Sequence, residues 1–192
     1  MIIKDWKKDA FTIPNMLSVF RLLLIPVYVV IYLMATEPIH YTVAGTIMAV
    51  SCLTDMIDGM IARKFNMIST LGKFLDPLAD KITQFTLILC LAIEHRVLWM
   101  IVGLFVVKEL FQLIAGIITF RHGRMLKGAL ISGKVCTAVL FVSLISLVMF
   151  PQIPEAVIGI ITIVDGILLL IAFADYFRTY YKNTSMIGDL ED

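Results

Sequence analysis

Long apolar runs separated by short polar breaks dominate the chain from end to end. The runs cover residues 13–34, 39–62, 71–93, 97–119, 129–150 and 154–177. Each holds roughly the 20 mostly apolar residues that a helix needs to cross about 30 Å of hydrocarbon. Thr36-Glu37-Pro38, Glu94-His95-Arg96 and Pro151-Gln152-Ile153-Pro154 turn the chain on one side, and segments 64–70 and 121–127 on the other. The pattern predicts an all-α integral membrane protein with six transmembrane helices in a single domain, 1–192. Residues 1–12 form a short juxtamembrane segment at the interface, basic and carrying Trp6. The run after it contains Pro14, Asn15 and Arg21 and no small-residue cleavage site, so it reads as a retained span rather than a removable signal.

Composition agrees. Hydrophobic residues make up 60% of the chain, charged residues 16%, and mean hydropathy is +0.95. A soluble domain of this length cannot hide so much apolar surface. The net charge of +1 says little, and no nucleic-acid partner is expected. The placement of charge says more. Lys4, Lys7, Lys8, Arg63, Lys64, Lys73, Arg121, Arg124, Lys127, Lys134, Arg178 and Lys182 gather on the side of the N-terminus, whereas the opposite loops carry only Arg96. Basic residues stay cytoplasmic, so both termini are expected there, in the cell membrane. Cys52, Cys90 and Cys136 sit in apolar stretches without ligand spacing and read as small buried hydrophobes.

Carboxylates inside spans are costly and point to function. The second run ends Asp55-Met-Ile-Asp58-Gly59-Met-Ile-Ala62-Arg63, and the third begins Gly72-Lys-Phe-Leu-Asp76-Pro-Leu-Ala-Asp80. Positions 55, 58, 59 and 62 share one helical face, as do 72, 76 and 80. Counted from Arg63 and Gly72, Asp58 and Asp76 lie at one level and Asp55 and Asp80 deeper, about 12 Å from the helix ends. Four carboxylates at matching depth would repel one another, and no equal cluster of lysines lies beside them in sequence. Two divalent cations, Mg²⁺ or Mn²⁺, resolve this, and a metal pair about 3.5–4 Å apart suits in-line displacement at phosphorus. Gly59, Ala62 and Gly72 leave room for a substrate phosphate, and Arg63 at the mouth offers it a fork of donors.

Taken together, Asp55-x2-Asp58-Gly59-x2-Ala62-Arg63-x8-Gly72-x3-Asp76-x3-Asp80 resembles the signature of the CDP-alcohol phosphotransferase (phosphatidyltransferase) family, complete at all eight positions. The resemblance covers essentially the whole chain. It implies that Asp55, Asp58, Asp76 and Asp80 ligate two metals, with Asp80 also the general base. Gly59, Ala62, Arg63, Gly72 and Asn15 would bind the CDP-lipid. The acceptor hydroxyl would then attack the lipid-bearing phosphorus of CDP-diacylglycerol, and CMP would leave. Homodimers are implied as well, and Gly45, Gly103 or Gly159 would permit close packing of spans.

Thr12-Ile-Pro14-Asn15 followed by Arg21, the run 71–81, and Gly133-Lys134 with Thr137 look like the phosphatidylglycerophosphate synthase branch, whose acceptor is sn-glycerol 3-phosphate. Arg121, Arg124, Lys134 and Lys108 are candidates for holding that phosphate, although basic residues at cytoplasmic span ends also serve topology and anionic headgroups. One departure stands out: the branch carries Arg-Glu in the fourth span, and this chain has Lys108-Glu109. CMP-forming cardiolipin synthases, with phosphatidylglycerol as acceptor, share much of the remaining pattern and are the alternative. Lys108 and Glu109 are expected to point apart on their helix and not to pair, with Lys108 facing the active site. Asp165, mid-way along the sixth span, is expected to pair with a polar group on another helix and is assigned no catalytic role. From another class, a cation transporter would use such aspartates, but near the bilayer midplane and between inverted repeats, which this chain lacks.

Overall fold

A computed structural model describes residues 13–64, 72–121 and 130–188. Its regular structure is helical, with no strand among the described residues: α1 Ile13–Leu33, α2 Pro38–Lys64, α3 Gly72–Glu94, α4 Trp99–Arg121, α5 Ile131–Met149 and α6 Glu155–Gly188, plus a 3₁₀ turn at Arg96–Leu98. The apolar runs set these bounds to within two or three residues, except at the last helix. There the helix continues past residue 177 to Gly188, because no glycine or proline interrupts it before that point. With 34 residues, α6 is about 51 Å long, well beyond the hydrocarbon thickness.

Four segments are long and apolar enough to cross a membrane: Asn15–Leu33, Arg96–Thr119, Ile131–Met149 and Glu155–Tyr181. Helices α2 and α3, at 27 and 23 residues, have the length too, but they carry the aspartates. The distribution of side chains is that of a protein surrounded by lipid. On α1 the exposed positions include Phe20, Leu23, Val27 and Val30, whereas the buried ones are Asn15, Ser18, Arg21, Tyr28 and Tyr32. Water would not tolerate that inversion, and hydrocarbon favours it.

The chain forms two compact units, residues 1–91 with 144–153 and residues 92–143 with 154–192. In the first, α1 packs along α2. The N-terminus of α2 is capped by His40, whose Nδ1 accepts the Thr36 and Glu37 amides at 3.3 and 3.4 Å, with Pro38 opening the helix. The end of α5 crosses α2 closely: Thr42 Oγ1 donates to the Met149 carbonyl at 3.0 Å. At Gly45 an added methyl would run into Met149 Cγ and lie 3.1 Å from the Met149 amide nitrogen. The space that Gly45 frees is thus filled within the chain and not by a second copy, whereas Gly103 and Gly159 have nothing within 4 Å of where a side chain would begin.

In the second unit α4 packs on α6. Phe111 meets Phe173, Phe177 and Tyr180 at ring-centroid distances of 5.1, 5.7 and 5.9 Å. His95 Nδ1 lies 2.9 Å from Glu155 Oε1, tying the turn before α4 to the first turn of α6.

Gly45→Ala is expected to destabilise the protein by about 1–3 kcal/mol through overpacking. It should lower Tm in detergent by several degrees; an unchanged Tm would show that α2 and α5 do not meet there.

Candidate active site

The site is built from the first turns of α3. Asp76 and Asp80 are four residues apart and so lie on one face, one turn above the other. Pro77 between them has no N–H and removes the rung to the Lys73 carbonyl, which loosens the helix at the carboxylate level. Both aspartates are half-buried.

Helix α1 completes this layer. Ser18 Oγ donates to Asp76 Oδ1, and Arg21 Nη1 donates to Asp80 Oδ1. Ser18 is fully buried, Arg21 is 3% exposed, and Asn15, one turn before Ser18, is also buried. This amends one link in the sequence argument. The carboxylates do have a cationic partner, supplied by a helix 59 residues earlier rather than by neighbours in sequence. Ser18 and Arg21 were not among the expected site residues. The available signal was the polar spacing Asn15, Ser18, Arg21 in an otherwise apolar span, because an arginine there needs a partner.

Asp55, Asp58, Gly59, Ala62 and Arg63 ride on the last turns of α2 and Gly72 opens α3, but their side chains lie outside the described set. The same holds for the Arg121 side chain, and Arg124 lies outside the described residues altogether. Among the described residues no group of three or more His, Cys, Asp or Glu stands together as a metal site. The two aspartates that are described fit a hard divalent ion: both offer carboxylate oxygens, on one face and open to solvent.

Beside this layer an apolar cavity of about 270 Å³ lies between α1 and α2, lined by Leu17, Phe20, Leu24, Thr46, Val50 and Thr54 among others. Leu17 adjoins Ser18 and Thr54 adjoins Asp55, so one end of the cavity lies at the level of the carboxylates. From Leu17 to Leu24 it follows α1 for about 10 Å, away from the polar end of that helix.

The remaining candidates fall in the second unit. Lys134 is exposed on the first turn of α5. Lys108 is 6% exposed, and its Nζ donates to Glu109 Oε1 at 2.6 Å. This corrects the expectation that the two point apart and do not pair. Their Cα–Cβ bonds diverge, but the four-carbon lysine stem bends along the helix surface to reach its neighbour. Asp165, 2% exposed, accepts from Ser143 Oγ at 2.6 Å, the interhelical pairing anticipated for it.

The chain belongs to the CDP-alcohol phosphatidyltransferase family, which it matches over residues 11–174. A relative from Pseudomonas fluorescens, named CDP-diacylglycerol–glycerol-3-phosphate 3-phosphatidyltransferase, is 35% identical over 88 residues, 46% of this chain and 45% of the relative. One of the same name from Bacillus subtilis is 31% identical over 104 residues, 48% of this chain and 54% of the relative. A protein from Drosophila melanogaster named a probable cardiolipin synthase (CMP-forming) is 32% identical over 117 residues, 60% of this chain and 35% of its own length. The chain thus spans about half the length, or less, of the curated relatives it matches.

Ser143→Ala leaves a buried carboxylate oxygen without its donor, a loss of about 1–3 kcal/mol. Thermal unfolding in detergent should show the lower Tm; a Tm equal to that of the wild type would remove this pair from the packing of α5 on α6.

Proposed function

We propose that this protein transfers the phosphatidyl group of CDP-diacylglycerol to sn-glycerol 3-phosphate, releasing CMP and forming phosphatidylglycerophosphate. The observation that carries the reading is the half-exposed carboxylate pair Asp76 and Asp80, backed by α1, in a chain of this family. The names of the bacterial relatives support the acceptor. In this reading the chain crosses the cell membrane six times with both termini and the site on the cytoplasmic side, in line with the asymmetry of its basic residues.

Asp55, Asp58, Asp76 and Asp80 would hold two divalent cations, Mg²⁺ or Mn²⁺, which would supply positive charge to offset that of the pyrophosphate. The protein's own residues do the rest. Gly59, Ala62 and Gly72 leave space for the CDP moiety, and Asn15 and Arg63 contribute polar contacts to it. The cavity along Leu17, Phe20 and Leu24 takes an acyl chain of the donor, with its headgroup at the carboxylate level. Asp80 accepts the proton of the acceptor hydroxyl, the acceptor oxygen bonds to the lipid-bearing phosphorus, and the phosphoanhydride bond breaks to release CMP. Lys134, Arg121, Arg124 and Lys108 supply the positive charge that a phosphorylated acceptor requires. The protein acts as a homodimer, for which the open faces at Gly103 and Gly159 are available.

A second reading, cardiolipin synthesis with phosphatidylglycerol as acceptor, is favoured by one observation: the Drosophila relative aligns over 60% of this chain, more than the synthase relatives do. CMP release by purified protein with CDP-diacylglycerol and Mg²⁺ separates the two. Dependence on glycerol 3-phosphate is expected, and dependence on phosphatidylglycerol alone would select the second reading.

In the same assay Asp80→Asn should lower turnover by at least about 100-fold while CDP-lipid binding persists; full activity would remove Asp80 as the base. Lys134→Ala should raise KM for the phosphorylated acceptor more than KM for the CDP-lipid, and equal effects on both would remove Lys134 from the acceptor cradle.

A further inference from the structure

Arg21 and Asp80 form an asymmetric pair. The arginine side chain is 4% exposed and the aspartate 40%. A guanidinium that bound substrate phosphate would be expected on the open side of the site. This one is shut away from solvent behind a carboxylate that faces it.

We propose that Arg21 is a positioning residue for the transfer reaction. From α1 it takes Oδ1 of Asp80 and fixes the carboxylate, leaving the other oxygen open to the cation and the acceptor hydroxyl that the transferase reading assigns to it. Ser18, three residues earlier on α1, holds Oδ1 of Asp76 in the same manner. The proposal rests on the transferase reading, with Asp80 as base.

Three features support it. The contacts come in register: Ser18 and Arg21 are about one turn apart, as are Asp76 and Asp80, so two helices running in the same direction present matched pairs. The donor is an arginine, whose planar, permanently charged fork fixes a carboxylate's orientation better than a lysine ammonium does. A base must also sit within hydrogen-bond reach of the proton it takes, and small errors of placement cost rate steeply. Pro77 loosens the helix between the two aspartates, so a second helix that pins both compensates for weaker backbone support.

The test uses the full chain in detergent, CDP-diacylglycerol, Mg²⁺ and whichever acceptor serves the wild type. Arg21→Ala should lower kcat about 10–100-fold, the loss usual for residues that support a reacting group, while KM for CDP-diacylglycerol stays within about twofold. Arg21→Lys should recover part of the loss. A kcat within about twofold of wild type in Arg21→Ala overturns the proposal. A loss carried entirely by KM for the CDP-lipid does so too, and would make Arg21 a substrate ligand.

The contact can be read without activity, which matters if Arg21→Ala does not fold. Cysteines placed by Arg21→Cys and Asp80→Cys, in a chain with Cys52, Cys90 and Cys136 changed to serine, should be bridged by a short bis-methanethiosulfonate reagent. Failure to bridge overturns the proposal. A wild type that releases no CMP with any acceptor overturns the transferase reading and this role together. An active wild type with an indifferent Arg21→Ala removes this role alone.

Discussion

Hydrocarbon offers a charged group nothing to bond, and insertion of an aspartate, lysine or arginine at the centre of a membrane helix costs about 2.5–3.5 kcal/mol. Five of the ionisable side chains described within these helices are placed accordingly. Arg21 meets Asp80, Lys108 meets Glu109, and Asp165 meets Ser143. Each pairing gives a buried polar group the partner that hydrocarbon cannot, and each leaves the apolar side chains free to face outward. The inversion of α1, with leucine and phenylalanine exposed and asparagine, serine and arginine buried, is the same constraint at the scale of a whole helix.

That constraint also shapes the proposed site. Carboxylates are kept from neutralising one another's usefulness by a guanidinium on one side and an opening to solvent on the other. An apolar cavity begins at their level and follows α1 away from its polar end. A lipid with a charged headgroup has the same division along its length, polar at one end and apolar at the other. The bacterial relatives are named for a molecule of that kind, CDP-diacylglycerol.

Much of this was legible in the sequence, for physical reasons. Helix positions follow from runs of about 20 apolar residues, and Asp76 and Asp80 announce a shared face by their spacing. What the sequence withheld were contacts across distance. Nothing near residues 76–80 announces that Ser18 and Arg21 arrive from another helix, because hydrogen bonds across 58 and 59 residues have no local pattern. Lys108 and Glu109 were misread for the opposite reason. A helical wheel records where side chains start and takes no account of how far a lysine reaches. Gly45 was legible as a point of close approach, but its partner, Met149, lies more than a hundred residues later.

The matched contacts of Ser18 with Asp76 and Arg21 with Asp80 also fix how deep the first helix sits. Sliding α1 by one turn along α3, about 5.4 Å, would bring Ser18 to Asp80 and carry Arg21 past its carboxylate to the level of the uncharged Gln84. A purely apolar span has no such preference, and floats until its ends reach the headgroups. Here the immersion of the first helix is therefore dictated by the third. A bilayer slightly too thick or too thin should deform around α1 before it draws the helix out of register.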